Sequence, residues 1–216
     1  MTPFVAKNPD VIRMPKKRTS RVRTKIAYMS QEQVEAFLKT AKDFGVREYA
    51  MFLLALNHGM RVSEICELKL ADIDLKNEQI IIRRKKDSLH TTQPLVRFKG
   101  NPLFNELNAL KTWLAVRPPD GDTFVFNTQK ANKMNPITAY KLFRQIATNA
   151  GLPESLRHPH VAKHTCAMTL VRNGANAFMI RQYLGHKSFN STLVYVNPTD
   201  SEASQAAIQA FSRAFG

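Results

Sequence analysis

Cysteine is scarce in this chain of 216 residues, which contains only Cys66 and Cys166. They do not form a C-x-x-C pair, so neither a disulfide nor a zinc site is expected. Both lie in segments with a helical pattern, where a free cysteine usually packs as a small core residue. The chain also lacks an apolar run of about 18 residues, the length that a membrane-spanning helix needs. Its N-terminus has no apolar stretch typical of a secretion signal, and we therefore expect a cytoplasmic protein.

Acidic residues are missing from several long stretches, including those between Asp10 and Glu32 and between Glu154 and Asp200. The whole chain carries 32 Lys and Arg against 17 Asp and Glu, a formal net charge of +15. This balance predicts a polyanionic partner, most simply nucleic acid; a ribosomal-type RNA binder and mere solubility are the alternatives. The absence of carboxylates from the second stretch argues against metal-assisted hydrolysis and favours an anionic substrate held by cations.

Residues 1–29 combine three prolines with eight cations, seven of them between Arg13 and Lys25, and little apolar surface. Such a segment cannot bury enough apolar area to fold by itself. We interpret it as a basic arm that follows the phosphate backbone of DNA, and a disordered soluble tail is the alternative. The predicted DNA-binding cations are Arg13, Lys16, Lys17, Arg18, Arg21, Arg23 and Lys25, together with Lys85 farther along the chain.

Helix signals dominate from residue 30 onward. Ser30 and Gln33 form a capping box, and apolar positions then repeat with helical spacing. The segment 46–57 is apolar on nearly every side, which predicts a helix at the centre of the domain. Further helices are predicted to cover 102–116, 135–151, 161–172 and 176–184. Helix caps are predicted at Ser63, Asn135 and Asn176, and a capping box of Thr199 and Glu202 starts the last helix.

Two short stretches, 79–84 and 92–98, have the β-branched composition and alternation of strands, and a polar turn separates them. The predicted fold class is therefore mostly α, an α+β domain with a small antiparallel sheet or hairpin. We expect one folded domain over residues 30–198. The basic arm 1–29 precedes it and a separate C-terminal helix 199–216 follows it.

Imidazoles, cations and one phenol crowd the last third of the chain. A phenol ionises near pH ~10, so a nucleophilic tyrosine needs cationic, hydrogen-bonding neighbours, and Tyr195 has candidates for them nearby in sequence. Arg61 adds a cation held between two helices, as a bidentate phosphate ligand requires. An ordinary ion pair of Arg61 with Glu64 or Glu67 is the alternative.

A metal site is the first rival interpretation, because His160 and His164 are spaced like the two histidines of an H-E-x-x-H zinc motif. Val161 stands where that motif has its general base. We therefore predict no zinc and no cofactor, and we expect His164 to orient a neighbour from the core.

Four separate motifs resemble those of the tyrosine recombinase, or phage integrase, family. They are Gly59-Met60-Arg61-Val62-Ser63-Glu64-Ile65, His160-x-x-Lys163-His164-Thr165, Leu184-Gly185-His186 and Tyr195. The resemblance extends from about residue 30 to residue 196. The segments 58–66 and 88–95 are most similar to short recombinases that invert fimbrial promoter segments and lack the family's N-terminal core-binding domain.

The resemblance implies a single catalytic domain that cuts and rejoins double-stranded DNA through a 3′-phosphotyrosine, without metal or ATP. It implies a bacterial, nucleoid-associated enzyme that inverts, integrates, excises or resolves DNA. Partners would be further copies of the chain, from dimer to tetramer on DNA, and accessory proteins that bend DNA. The alternative is a DNA-binding regulator derived from a recombinase, which Lys163 favours because the family has arginine at that position.

The resemblance also implies the role of each site residue. Tyr195 would attack the phosphodiester, with Tyr183 the next candidate, while Arg61 and Lys163 neutralise the phosphate. Lys86 is selected by counting back from Pro94-Leu95, with Lys85 one residue away, and would protonate the leaving 5′-oxygen. His160 would handle the tyrosine proton and His186 would hydrogen-bond the phosphate. The implied catalytic set is Arg61, Lys86, His160, Lys163, His186 and Tyr195.

The C-terminal helix has an apolar stripe of Ile208, Phe211 and Phe215. That stripe can fold back on the core of its own chain. In the tyrosine recombinases the equivalent segment commonly packs into a neighbouring protomer, so the resemblance implies packing in trans.

Overall fold

The computed structural model describes residues 26–85, 88–98, 100–119, 124–128, 133–196 and 200–215. Its helices are α1 (Gln31–Phe44), α2 (Val46–Asn57), α3 (Val62–Cys66), α4 (Glu106–Val116), α5 (Pro136–Asn149), α6 (His160–Arg172), α7 (Ala177–Leu184), α8 (Asn190–Leu193) and α9 (Asp200–Phe215). Its strands are β1 (Ile73–Asp74), β2 (Gln79–Ile82) and β3 (Thr91–Pro94). Short 3-10 turns cover Leu70–Asp72, Pro102–Phe104 and Glu154–Leu156. The predicted fold, mostly helical with a small antiparallel sheet, is confirmed.

Helix α2 lies at the centre of the core, as its apolar sequence predicts. Its residues 48–56 are buried, and its Phe52 contacts Phe37 of α1 and Phe143 of α5. The ring centroids of these three residues lie 4.7 to 5.8 Å apart, a spacing at which aromatic pairs attract each other beyond simple burial. Cys66 and Cys166 are both buried and free, as predicted. Among the described helices, none is long and apolar enough to cross a membrane.

The sheet has the order β1-β2-β3 with antiparallel pairing, and Ile80 pairs with Gln93. The predicted second strand, 92–98, is wrong at both ends, because β3 begins at Thr91 and stops at Pro94. The Leu95 N–H still donates to the Glu78 carbonyl at 2.7 Å, whereas the Val96 N–H donates to the Glu106 carboxylate at 2.7 Å and so leaves the ladder. The predicted first strand, 79–84, likewise ends early at Ile82.

Most predicted helix caps are confirmed. Ser30 and Gln33 make their capping box, and the side chains of Asn135 and Asn176 accept hydrogen bonds at the starts of α5 and α7. Thr199 lies outside the described residues.

Two predictions about helix starts are wrong. The helix predicted over 102–116 is interrupted at Asn105, whose side chain accepts from the Asn108 N–H at 3.0 Å and so caps α4. Ser63 does not cap α3. Arg61 takes that place, and its backbone N–H donates to the Glu64 carboxylate at 2.9 Å.

A buried polar chain joins four elements behind the end of α2. Nδ1 of His58 lies 2.7 Å from Oε1 of Gln93, and Nε2 of His58 lies 3.1 Å from a carboxylate oxygen of Glu106. The Gln93 amide in turn donates to the Tyr183 carbonyl of α7 at 2.7 Å. Because buried polar groups are costly unless paired, this chain fixes α2, β3, α4 and α7 relative to one another.

Candidate active site

Arg61 is held in a tight loop between α2 and α3. Gly59 has a φ of 57°, and a Cβ at that position would lie 2.5 Å from the Leu184 side chain, so only glycine fits. The Arg61 guanidinium donates to the Glu64 carboxylate at 2.5 Å, and the side chain is 22% exposed. The ion pair that was the alternative interpretation therefore exists. It holds one edge of the guanidinium and leaves part of the group accessible to an anion.

Glu64 and Arg84 form a buried ion pair that sequence reasoning missed. The Arg84 guanidinium is fully buried and donates to the carbonyls of Gly59, His58 and Tyr183 at 2.9, 2.8 and 3.1 Å. Burial lowers the pKa of Arg84 and the Glu64 charge partly offsets this effect. Burial would raise the pKa of Glu64, but the Arg61 N–H and the Arg84 charge lower it overall. Removing Glu64 would leave the buried Arg84 charge without an acidic partner, which costs about 3–5 kcal/mol.

Lys163 projects from α6 into the same region and is buried, with 2% of its surface exposed. Its Nζ lies 3.4 Å from the Leu184 carbonyl. Burial, together with the charges of Arg61 and Arg84, lowers the pKa of Lys163 to about 7. The ammonium is therefore near the midpoint of its titration at neutral pH, before any phosphate binds.

His186 is placed by Gly185, whose φ of 65° ends α7. A Cβ at Gly185 would lie 2.3 Å from the Leu89 carbonyl, and the Leu89 N–H donates to the Gly185 carbonyl at 2.9 Å. Nδ1 of His186 lies 2.9 Å from Oγ1 of Thr192. Burial, followed by the charges of Lys163 and Arg61, lowers the pKa of His186 to about 4. The imidazole is neutral at pH 7.

The Tyr195 ring stacks on His186, with ring centroids 6.4 Å apart and an angle of 12° between the planes. Its hydroxyl lies 2.8 Å from Nδ1 of His164. Burial raises the pKa of Tyr195 to about 12, and the Arg61 charge opposes this only in part. The cationic surroundings expected from the sequence are present, yet the phenol stays protonated at neutral pH in the DNA-free protein.

His160 is exposed at the start of α6, and its ring contacts that of His164 at a centroid distance of 4.5 Å. Tyr183, the second candidate nucleophile, donates its hydroxyl to the Asn57 carbonyl at 3.1 Å, and burial raises its pKa. Lys85 pairs with Glu67 at 2.6 Å.

The structure thus brings together five of the six predicted catalytic residues. The remaining one, Lys86, lies outside the described residues. So do seven of the eight predicted DNA-binding cations, namely Arg13, Lys16, Lys17, Arg18, Arg21, Arg23 and Lys25. In the described part of the chain no three His, Cys, Asp or Glu side chains cluster as metal ligands would.

Comparison with known proteins identifies the family of this chain and solved structures with a similar fold. The model of the phage integrase family matches residues 27–202. The chain is 35% identical over 173 residues to the type 1 fimbriae regulatory protein FimB of Escherichia coli (strain K12), covering 78% of this chain and 82% of FimB.

Two solved structures are also similar. The crystal structure of XerA recombinase has 26% sequence identity and a TM-score of 0.70 over 86% of this chain and 65% of XerA. XerH site-specific recombinase bound to its difH substrate shares the fold, with 24% identity and a TM-score of 0.69 over 83% of this chain and 53% of XerH. The chain therefore spans less than two thirds of either recombinase.

Proposed function

The chain belongs to the phage integrase family of tyrosine recombinases, and on that basis we propose that it cuts and rejoins DNA at specific sites through a 3′-phosphotyrosine intermediate. The observation that carries this proposal is the gathering of a phenol, three imidazoles and two cations from separate parts of the chain. Transesterification keeps the energy of the phosphodiester bond in the phosphotyrosine, so the reaction needs no ATP.

The proposed roles follow from the chemistry of each group. Arg61 and Lys163 neutralise the pentacoordinate phosphate, a preorganised electrostatic effect worth several kcal/mol of the barrier. His186 donates a hydrogen bond to the phosphate, and Lys86 protonates the leaving 5′-oxygen. His160 lies beside His164 at the solvent edge, and the resemblance to the family assigns the tyrosine proton to it.

The direct test is the formation of a covalent complex. The protein is incubated with a nicked duplex built from the DNA that flanks its gene, and the products are separated by denaturing electrophoresis. A protein–DNA band that survives denaturation is expected. Binding without any covalent band would favour the alternative, a regulator derived from a recombinase, which rests on Lys163 alone.

Double-stranded DNA is the proposed partner, as XerH was solved on its difH substrate and this chain carries a net charge of +15. Inversion, integration, excision and multimer resolution share the same chemistry and differ in how the two sites are arranged. Among these outcomes we propose inversion, because segments 58–66 and 88–95 resemble recombinases that invert fimbrial promoter segments. The similarity to FimB, a type 1 fimbriae regulatory protein, supports this choice. Assembly from dimer to tetramer on DNA, aided by accessory proteins that bend DNA, belongs to the same proposal, as does a location in the bacterial cytoplasm.

Deleting residues 1–25 is expected to flatten the salt dependence of DNA binding. The deletion removes eight cations, Lys7 and the seven predicted DNA-binding ones, and each lost phosphate contact lowers the slope of log K against log salt by about 0.9. The measurement is DNA affinity by fluorescence anisotropy between low and moderate salt. A full-length variant with the seven cations changed to glutamine serves as control, and an unchanged slope in both would show that the arm does not bind DNA.

The C-terminal helix α9 is proposed to pack into a neighbouring protomer. Its residues 204–215 are exposed in the structure, including Ile208 at 64%, Phe211 at 63% and Phe215 at 85%. A large exposed apolar stripe marks an interaction surface. An apolar cavity of about 520 Å³ offers a candidate receiving site, and its lining includes Val34, Leu56, Val96, Phe104, Leu170 and Tyr183.

Phe211→Glu is therefore expected to weaken complexes of two or more protomers on a two-site DNA by about 10-fold or more, the scale of a lost interface anchor. Binding to a single site should be kept. Gln209→Glu, an equal change of charge at an exposed neighbour, is the control. Native gel shifts on one-site and two-site DNA make the comparison, and equal assembly by Phe211→Glu would contradict packing in trans.

A further inference from the structure

His164 occupies a position that the proposed mechanism has not used. It lies one helical turn after His160 on α6, is half-buried, and its Nδ1 lies 2.8 Å from the Tyr195 hydroxyl. This is within the reach of 2.6–3.2 Å that general-base catalysis requires. Of the other two imidazoles, His186 bonds Thr192 through Nδ1, and His160 contacts the His164 ring.

The charge state of His164 suits a proton acceptor. Burial, together with the charges of His160, His158 and Lys163, lowers its pKa to about 4. The ring is therefore neutral at pH 7, and one of its nitrogens carries a lone pair. With the ring proton on Nε2, the Tyr195 O–H donates to Nδ1 along the observed contact.

We propose that His164, and not His160, accepts the phenolic proton when Tyr195 attacks the DNA phosphate. The inference rests on the proposed recombinase function and changes the assignment of one role within it. In cleavage the O–H bond of Tyr195 breaks and its proton moves to Nδ1 of His164, while the tyrosine oxygen bonds to phosphorus. The bond from phosphorus to the 5′-oxygen breaks, and Lys86 gives that oxygen a proton. In rejoining, His164 returns the proton to Tyr195.

Substrate binding makes His164 a better base. Three nearby groups, His160, His158 and Lys163, disfavour an imidazolium at His164 when they are charged. A bound phosphate places a negative charge in the same region, which favours the imidazolium and raises its pKa. His164 is therefore a weak base in the free protein and becomes a stronger base once the phosphate is bound. His160, at the solvent edge of the pair, then acts as a positioning residue through its ring contact with His164.

The test combines His164→Asn with a change in the leaving group. Asparagine keeps a hydrogen-bonding atom near the place of Nδ1 but cannot accept a proton in the neutral range. The two substrates are a nicked duplex with the natural phosphate and the same duplex with sulfur replacing the bridging 5′-oxygen. A thiolate leaves without protonation, so cleavage of the sulfur substrate does not need Lys86 as general acid. It still requires Tyr195 to lose its proton.

His164→Asn is expected to form the covalent complex about 10²–10⁴-fold more slowly than wild type on both substrates, with DNA affinity unchanged. Lys86→Ala, the matched acid variant, should be slow on the phosphate and restored on the sulfur substrate. His160→Asn should lose less than His164→Asn. As a second readout, cleavage of the sulfur substrate by His164→Asn should rise about tenfold per pH unit below the pKa of Lys163, because only preformed phenolate attacks.

The failures are distinguishable. If wild type forms no covalent complex on either substrate, the recombinase function itself is wrong. If wild type reacts and His164→Asn reacts equally fast, His164 does not take the proton. If the variant reacts faster, His164 restrains Tyr195, which also overturns the inference. Should His164→Asn unfold, His164→Gln replaces it and is judged by the same rates.

Discussion

Tyr195→Phe is expected to bind DNA like wild type and to form no covalent complex. The substitution removes one oxygen and its contact with His164, while the ring keeps its stacking on His186. Loss of that one hydrogen bond costs about 1 kcal/mol of stability, too little to unfold the domain. Since no other atom of the side chain can bond to phosphorus, the loss of covalent complex should be complete.

Tyr183→Phe is the matched control for this experiment. Its hydroxyl donates to the Asn57 carbonyl, so the change also removes a single buried hydrogen bond, yet it should leave the covalent complex in place. The measurement is denaturing electrophoresis alongside gel shifts for affinity. Covalent complex from Tyr195→Phe, or its loss only from Tyr183→Phe, would move the nucleophile to the other tyrosine.

Lys163→Arg is expected to raise the rate of cleavage by about one to two orders of magnitude. A guanidinium can bind two phosphate oxygens at once, whereas an ammonium is a compact, strongly hydrated point charge. One further good contact is worth about 1.5–3 kcal/mol, which corresponds to that range of rates. Lys163→Ala should abolish cleavage and leave DNA binding largely intact, while Lys187→Ala, at an exposed cation nearby, should change little.

The rate advantage expected for Lys163→Arg also depends on pH. The pKa of Lys163 is lowered to about 7 in the DNA-free protein, so its charge is present below that pH and is lost as the pH rises. Arginine keeps its charge throughout the range. The advantage of Lys163→Arg should therefore be larger at pH 8 than at pH 6, in single-turnover cleavage assays.

The Lys163 series also separates the two functional hypotheses. If Lys163→Ala cleaves as well as wild type, Lys163 lies outside the reaction. If wild type is inert and Lys163→Arg alone cleaves, the chain acts as a DNA-binding regulator that lacks only the guanidinium at position 163.

Local signals explain what the sequence predicts well. The Ser30 capping box and the Asn135 and Asn176 caps depend on contacts within three residues. The buried character of α2 follows from its own composition. These features need no knowledge of distant partners, and all four are confirmed.

The errors arise where distant residues compete for the backbone. The strand predicted through Phe98 ends at Pro94, since Glu106 takes the Val96 N–H. No sequence pattern near residue 96 predicts that the Glu106 carboxylate, ten positions away, accepts this hydrogen bond. The same limit applies at Arg84, because its partner carbonyls come from His58, Gly59 and Tyr183.

The sequence predicts which residues form the candidate site but not which of them contact each other. The motifs single out Arg61, His160, Lys163, His186 and Tyr195, and sequence reasoning expected His164 to orient a neighbour. That the neighbour is Tyr195 follows only from the fold, which brings α6 and the residues after α8 within hydrogen-bonding distance.

The buried Arg84 guanidinium has a consequence for synthesis on the ribosome. A nascent chain that has emerged only as far as α5 contains Arg84 and Glu64, but not the Tyr183 carbonyl that Arg84 also needs, nor Lys163, His186 and Tyr195. Arg84 therefore gains its Tyr183 partner only when α7 packs against it, and Tyr195, the proposed nucleophile, is synthesised later still. A product of translation that ends before residue 195 lacks this phenol and is expected to form no covalent complex with DNA.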